Sequence, residues 1–140
     1  MNGNRPVVVA VDLDGVIAEF DGWRGDEHFG EPIAGAREAL AELRRRGIKI
    51  MVYTCRQNLV KVKEYLEKNQ IPYDFINENP YSPPDIHPSK IYADIYVDDR
   101  AVSFTNWDET LEQLKIRTGL EKRAENCQKE VCMCRCKGVV

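Results

Sequence analysis

The strongest constraint on the fold of this chain is an apolar run that leads into a pair of carboxylates near the amino terminus. Five apolar residues, Val7–Val11, precede the segment Asp12-Leu13-Asp14-Gly15. A short, β-branched run of this kind predicts a strand buried on both faces, and such strands belong to parallel sheets covered by helices. Open sheets of that type bind ligands outside the carboxyl ends of their strands. Asp12 and Asp14 are therefore candidate site residues.

The rest of the chain alternates between helical and extended apolar patterns. The predicted helices run from Ile33 to Gly47, from Asn58 to about Asn69 and from Trp107 to about Thr118. The further predicted strands are Ile48–Tyr53, Ile71–Ile76 and Ile95–Val97. This order predicts an α/β fold with a doubly wound, Rossmann-like, mostly parallel sheet that is flanked by helices and joined by right-handed crossovers.

The composition is that of an ordinary globular protein. The 140 residues are 43% hydrophobic and 31% charged, with a formal net charge of −3. That charge argues against a general nucleic-acid binder. No apolar run approaches the roughly 20 residues that a membrane span requires, and the amino terminus lacks a signal-peptide pattern. We therefore expect a cytoplasmic protein with no membrane partner and no strong nucleic-acid signal.

The carboxyl-terminal segment differs from the rest of the chain. We predict a core domain over residues 1–119 and a basic, Cys-rich tail over residues 120–140, which holds four of the five cysteines. The four are Cys127, Cys132, Cys134 and Cys136. They either bind zinc or are incidental thiols of a disordered tail, and the second alternative is favoured because their spacing is not a usual zinc pattern.

Polar side chains follow two later strands as well. Thr54 follows the second strand, Asp98 and Asp99 follow the fourth, and Lys90 lies shortly before the fourth. The carboxyl ends of parallel strands meet at one edge of a sheet, so these groups are expected to converge there. Carboxylates alone repel anions, but Mg²⁺ binds carboxylates together with phosphate oxygens and water. The pattern therefore predicts a Mg²⁺ site that binds a phosphoryl group with help from Lys90.

These four features resemble, in the same order, the four motifs of the haloacid dehalogenase (HAD) superfamily. The resemblance covers about residues 7–118, and the pieces EPIAGAREALAELRRRGIKIMVYTCR and ADIYVDDRAV are similar to small, capless HAD phosphatases. It implies a Mg²⁺-dependent phosphoric monoester hydrolase that acts through an aspartyl-phosphate intermediate. The segments between the motifs are too short to hold a cap domain with a core of its own.

The resemblance also implies a role for each matched residue. Asp12 would be the nucleophile and Asp14 the general acid and base. Thr54 and Lys90 would bind and neutralise the phosphoryl group, and Arg56, two residues after Thr54, is a further candidate for substrate binding. Mg²⁺ would be held by Asp12, the backbone carbonyl of Asp14, Asp98 and Asp99. Cys55 has no histidine near it in the sequence and is expected to be a packing residue.

Three other functions remain open. A response-regulator receiver also combines Asp, Thr and Lys, but its phosphorylated Asp lies on a middle strand and its Lys follows the Thr. A non-catalytic phosphate-binding protein could share the fold, because fold does not determine function. A phosphotransferase would pass the phosphoryl group to a sugar, which usually requires a lid that excludes water. The substrate itself, a phosphorylated small molecule or macromolecule, is not specified by the sequence.

Two irregular segments are expected to lie near the strand ends and to set substrate choice. They are Glu19–Pro32 and Asn77–Ser89. In the first, Trp23, Arg24 and His28 could contact a ligand. An open site also suggests a homo-oligomer in which a neighbouring subunit covers a small substrate, since exclusion of water strengthens the electrostatics.

Overall fold

The structure is a computed structural model that describes residues 5–120 of the chain. The described chain divides into two units, one that ends at Arg100 and one that begins at Ala101, and each is described separately. The tail cysteines, and with them the zinc alternative, lie outside the described residues. The domain boundary expected after residue 119 falls at the end of the described range and stays a prediction.

The first unit is built on a four-stranded sheet in which all neighbouring strands are parallel. The strands are β1 (Val8–Asp12), β2 (Lys49–Tyr53), β3 (Phe75–Ile76) and β4 (Ile95–Val97). Their spatial order is β3-β2-β1-β4. The order of the strands reverses between β1 and β4, which makes this the switch point where ligands bind in sheets of this type. The expected α/β, Rossmann-like fold without a cap is confirmed for the described residues.

Two helices connect neighbouring strands of the sheet. They are α1 (Ala36–Arg45) and α2 (Leu59–Lys68). Asn58, where the sequence predicts this helix to begin, precedes α2, and its side chain caps the helix by accepting a hydrogen bond from the backbone N–H of Lys61. Arg44 and Arg45 occupy the last turn of α1, where their charges complement the helix dipole.

Each face of the sheet has its own apolar core. The first core joins strand residues to both helices, and its members include Val9, Val11, Ile50, Val52, Leu40, Val62 and Leu66. The second lies on the opposite face and includes Val8, Ala10, Met51 and Ala93, with Tyr81 and Ile91 packed against it. The apolar residues of β1 are thus buried on both faces, as the sequence predicts. The three residues of β4, at the edge of the sheet, are exposed.

Two aspartates join the starts of neighbouring strands. The Asp94 carboxylate accepts a hydrogen bond from the Val8 N–H at 2.8 Å, and the Asp94 N–H donates to the Val8 carbonyl at 2.9 Å. Asp74 repeats both contacts with Ile50, each at 2.8 Å. The residue before each outer strand, β3 or β4, therefore makes two hydrogen bonds to the neighbouring inner strand, and these help to set the register of the sheet.

The second unit contains the helix α3 (Trp107–Thr118), whose bounds are those that the sequence predicts. At its amino terminus the Asn106 side chain accepts a hydrogen bond from the Glu109 N–H at 2.9 Å. Leu111 and Leu114 of this helix are exposed in the described structure. No helix in the described part of the chain is long and apolar enough to cross a membrane.

Candidate active site

Three carboxylates meet at the switch point of the sheet. Asp12 is the last residue of β1, and Asp98 and Asp99 directly follow β4. One oxygen from each carboxylate lies within 4.8 Å of the other two. The parallel pairing of β1 with β4 thus brings together residues that are far apart in the sequence, at the edge where the sequence predicts them.

The electrostatics of this cluster centre on Asp12. Burial, the largest cause, and the negative charge of Asp98 raise the pKa of the Asp12 carboxyl to about 7, and Asp99 adds to the rise. The Leu13 N–H donates to the Asp12 Oδ1 at 2.9 Å and opposes it. Carboxylates this close together repel one another when they are all ionised. The donor set therefore suits a hard divalent cation such as Mg²⁺, which prefers carboxylate oxygens.

Gly15 gives Asp99 the space to reach this cluster. The backbone φ angle of Gly15 is 90°, which lies in the left-handed region that residues other than glycine rarely adopt. A Cβ atom at this position would also overlap the Asp99 carboxylate. The backbone conformation therefore favours glycine after Asp14, and a Cβ atom there would have to displace the Asp99 carboxylate.

Asp14 does not share its carboxylate with the cluster. Its two oxygens accept hydrogen bonds from the Arg56 Nε at 2.8 Å and the Arg56 Nη2 at 2.9 Å. The pair is buried, with 4% of the Arg56 side chain and 17% of the Asp14 side chain exposed. Such a bidentate pair fixes the orientation of both groups. The backbone carbonyl of Asp14 stays a predicted metal ligand.

Arg56, a predicted substrate-binding residue, is held by the protein on several sides. Its Nη2 also donates to the His28 carbonyl at 2.9 Å, while its Nη1 is buried without a hydrogen-bond partner among the described residues. The guanidinium carbon lies 4.0 Å from the centre of the Phe29 ring and 5.0 Å from that of Trp23. Phe29 in turn stacks on Tyr65, with ring centres 4.7 Å apart. We call the four side chains in this series of ring contacts the Arg56 stack; they are Tyr65, Phe29, Arg56 and Trp23.

Thr54 is buried at the end of β2 and is held there by an asparagine. The Asn77 Oδ1 accepts a hydrogen bond from the Thr54 N–H, and the Asn77 Nδ2 donates to the Thr54 carbonyl, each at 2.8 Å. Asn77 has a φ of 51°, a conformation that Asn tolerates better than most residues. The sequence predicts Asn77 only as the first residue of the loop Asn77–Ser89, with no role at Thr54, although it directly follows β3 just as Thr54 directly follows β2.

A cavity of about 640 Å³ opens at this edge of the sheet. It is lined by Asp12, Asp14, Phe20, Trp23, Asp26, Tyr53, Thr54, Cys55, Arg56, Gln57, Asp98 and Arg100. Lys90 is exposed and is not among these residues, so its predicted role at the site stays a prediction. Cys55 is exposed and lines the cavity, so the expectation that it is a packing residue is wrong.

The two predicted substrate loops differ in their relation to the cavity. Residues Phe20, Trp23 and Asp26 of the loop Glu19–Pro32 line it, whereas no residue of Asn77–Ser89 does. The second loop contacts the site through its first residue, Asn77, which is hydrogen-bonded to Thr54, and its effect on substrate choice stays a prediction. Arg24 and His28, the other two predicted ligand contacts of the first loop, are not in the cavity lining. The Arg24 side chain pairs with Asp21 at 2.7 Å, and the His28 side chain is exposed outside the cavity lining.

The loop Glu19–Pro32 is closed at its base and tied to α2. The Glu19 N–H donates to the Glu31 carbonyl at 2.8 Å. Gly30 lies so close to the Glu19 carbonyl that a Cβ atom there would overlap it. The Tyr65 hydroxyl donates to the Gly30 carbonyl at 2.9 Å. The loop is therefore anchored at its ends while its middle residues reach the cavity.

Comparison with known proteins supports the fold. No family model matches the chain, and no curated protein matches it. It is similar to a solved conserved protein from Bacteroides thetaiotaomicron, with 25% identity and a TM-score of 0.58 over 80% of this chain and 92% of that one. A solved target protein from Vibrio cholerae is 23% identical over 79% of this chain and 98% of that one, with a TM-score of 0.45. Neither protein is named for an activity.

Proposed function

We propose that this chain is a Mg²⁺-dependent phosphoric monoester hydrolase of the HAD type that forms an aspartyl phosphate on Asp12. The observation that carries the proposal is the cluster of Asp12, Asp98 and Asp99 at the switch point of the sheet. Asp12 and Asp98 line a cavity that is large enough for a small phosphate ester, and Asp14 lines it as well. We place the activity in the cytoplasm, as the composition suggests.

The acidic cluster would hold the metal. Asp12, Asp98 and Asp99 would bind Mg²⁺ through carboxylate oxygens, with the backbone carbonyl of Asp14 as a further ligand. When bound, the cation supplies positive charge that offsets the repulsion among the carboxylates and attracts phosphoryl oxygens. Burial and, after it, the negative charge of Asp98 raise the pKa of Asp12 to about 7, and a bound cation would offset this destabilisation of the ionised carboxylate.

The first half of the reaction transfers the phosphoryl group to the protein. A carboxylate oxygen of Asp12 bonds to phosphorus while the ester P–O bond breaks and its electron pair moves to the leaving oxygen. Asp14 gives its proton to that oxygen, which leaves as an alcohol. Because Arg56 donates to both oxygens of Asp14, the oxygen that carries the proton accepts the weaker of these two hydrogen bonds when Asp14 is protonated.

The second half restores the enzyme. Asp14 takes a proton from a water molecule, whose oxygen bonds to phosphorus while the bond to Asp12 breaks, and inorganic phosphate leaves. Thr54 lines the cavity and would bind a phosphoryl oxygen through its hydroxyl group. Lys90, to which the resemblance assigns the neutralising charge, is outside the cavity lining. Arg100, which does line the cavity, is a second candidate for the positive charge assigned to Lys90.

One observation favours a non-catalytic phosphate-binding protein as the second candidate. Arg56 occupies both oxygens of Asp14, which is the arrangement of a structural ion pair as much as that of a proton donor. Such a protein would bind Mg²⁺ and phosphate in a fixed ratio without turnover. Measurement of turnover therefore separates the two candidates.

The test is phosphate release from p-nitrophenyl phosphate by the full chain with Mg²⁺ and with EDTA. We expect release that requires Mg²⁺, disappears in Asp12→Asn and persists in the control Asp21→Asn. Asp21 is exposed, pairs with Arg24 and does not line the cavity, so its substitution controls for the loss of one carboxylate. Mass analysis after acid quench should find the phosphoryl group on Asp12. Undiminished turnover in EDTA or in folded Asp12→Asn would overturn the proposal.

A further inference from the structure

The Arg56 stack ends on an indole ring that is open to the cavity. Tyr65 contacts Phe29, Phe29 contacts Arg56, and Arg56 contacts Trp23. Trp23 has no further ring contact in the described residues, is 58% exposed and lines the cavity that also contains Asp12. The stack therefore ends in a largely exposed aromatic surface in the cavity that also contains the proposed nucleophile.

Two more aromatic side chains line the same cavity. Phe20 comes from the loop that carries Trp23, and Tyr53 is the last residue of β2. Both are partly exposed. The charged groups of the lining include Asp12 and Asp98, which belong to the carboxylate cluster. The cavity thus combines an acidic, cation-binding part with aromatic walls, and aromatic walls are typical of sites that bind flat apolar groups.

Trp23 is also held in place before any ligand arrives. It rests on the guanidinium of Arg56, which is fixed by two hydrogen bonds to Asp14 and one to the His28 carbonyl. The loop that carries it is closed at its base by the hydrogen bond from Glu19 to Glu31. An aromatic surface that is already ordered loses little conformational entropy when a ligand stacks on it.

We propose that this cavity takes phosphate monoesters whose leaving group carries a planar aromatic ring, and that this ring stacks on the open face of Trp23. The inference rests on the proposed function for the ester chemistry, whereas binding of the ring does not require turnover. Nucleoside monophosphates and arylalkyl phosphates share this chemistry. They differ in whether a sugar separates the ring from the phosphate.

The first experiment compares kcat/KM within two pairs of substrates that differ in the ring alone. One pair is 5′-AMP and ribose 5-phosphate, and the other is benzyl phosphate and cyclohexylmethyl phosphate. Stacking on an aromatic side chain predicts a preference of about 5- to 150-fold for the member with the planar ring. A preference in the first pair alone indicates nucleoside monophosphates, and a preference in the second pair alone indicates arylalkyl phosphates. Equal kcat/KM values within both pairs would overturn the proposal.

The variants locate the ring site. The preference within a pair should fall toward one in Trp23→Ala and be partly kept in Trp23→Phe, which retains a ring. The control Trp107→Phe alters the other tryptophan, which is exposed and lies in the second unit, and should leave both kcat/KM values unchanged. A preference that persists in full in Trp23→Ala would overturn the assignment to Trp23.

The second experiment measures ring binding without hydrolysis. In Trp107→Phe protein Trp23 is the sole tryptophan, so titration with adenosine or benzyl alcohol in EDTA should change its fluorescence in a saturable manner. Saturable binding without hydrolysis of any ester keeps the ring site and defeats the proposed function. Hydrolysis without ring preference and without a fluorescence change keeps the proposed function and defeats the ring site.

Discussion

Replacement of Arg56 by methionine tests the ion pair that orders the candidate site. The variant removes a guanidinium whose side chain is only 4% exposed and leaves the Asp14 carboxylate, itself 17% exposed, without its two donors. Loss of one partner of a buried ion pair costs about 3–5 kcal/mol, because an uncompensated charge stays behind. Methionine keeps much of the side-chain volume, so the creation of a cavity adds little to the cost.

The assay is urea unfolding at neutral pH followed by circular dichroism. The matched control is Arg46→Met, which removes an exposed arginine paired with Glu42 at 2.6 Å. Exposed pairs contribute about 0–1 kcal/mol. We therefore expect Arg56→Met to lower the free energy of unfolding by about 3–5 kcal/mol, and Arg46→Met to lower it by about 1 kcal/mol or less.

A double-mutant cycle isolates the pair itself. In Arg56→Met/Asp14→Leu both charges are absent, and the loss of stability should be smaller than the sum of the two single losses. Equal effects of Arg56→Met and Arg46→Met on unfolding, or strict additivity in the cycle, would refute the view that Arg56 and Asp14 form a coupled, buried unit.

The remaining predictions concern the carboxylates. Gly15→Ala should weaken Mg²⁺ binding in calorimetry, because a Cβ atom would displace the Asp99 carboxylate from the cluster; unchanged affinity would contradict this. In EDTA the free energy of unfolding should fall as pH rises toward about 7, because the raised pKa of Asp12 lets the folded state keep a proton that the unfolded state has lost, and Asp12→Asn should remove this fall. The pKa of the Asp94 carboxyl lies below its ordinary value of 3.8, and the largest cause is the hydrogen bond that it accepts from the Val8 N–H. Asp94→Asn should therefore lose stability at neutral pH, and acid titration of unfolding should show that the deficit shrinks as pH falls below about 4.

Local sequence signals were enough to predict several elements. The apolar run before Asp12 identified β1 and its burial on both faces, because a strand covered on both sides has no polar position. Asn58 identified the start of α2, since a capping side chain bonds within its own helical turn. The position of Asp12 and Asp98 at the ends of predicted strands also predicted that they lie close together, because parallel strands end at the same edge of a sheet.

The tertiary structure decided which of these side chains act together. Arg56 meets Asp14 across 42 residues of sequence and Asn77 meets Thr54 across 23, and no local pattern specifies such partners. The strand ends predict which residues reach the edge of the sheet, but not which way the connecting loops turn. Lys90 is outside the cavity lining, whereas Trp23 and Arg56, which are also candidates from the sequence, belong to it, because the partners of a side chain depend on the packing of the loops around it.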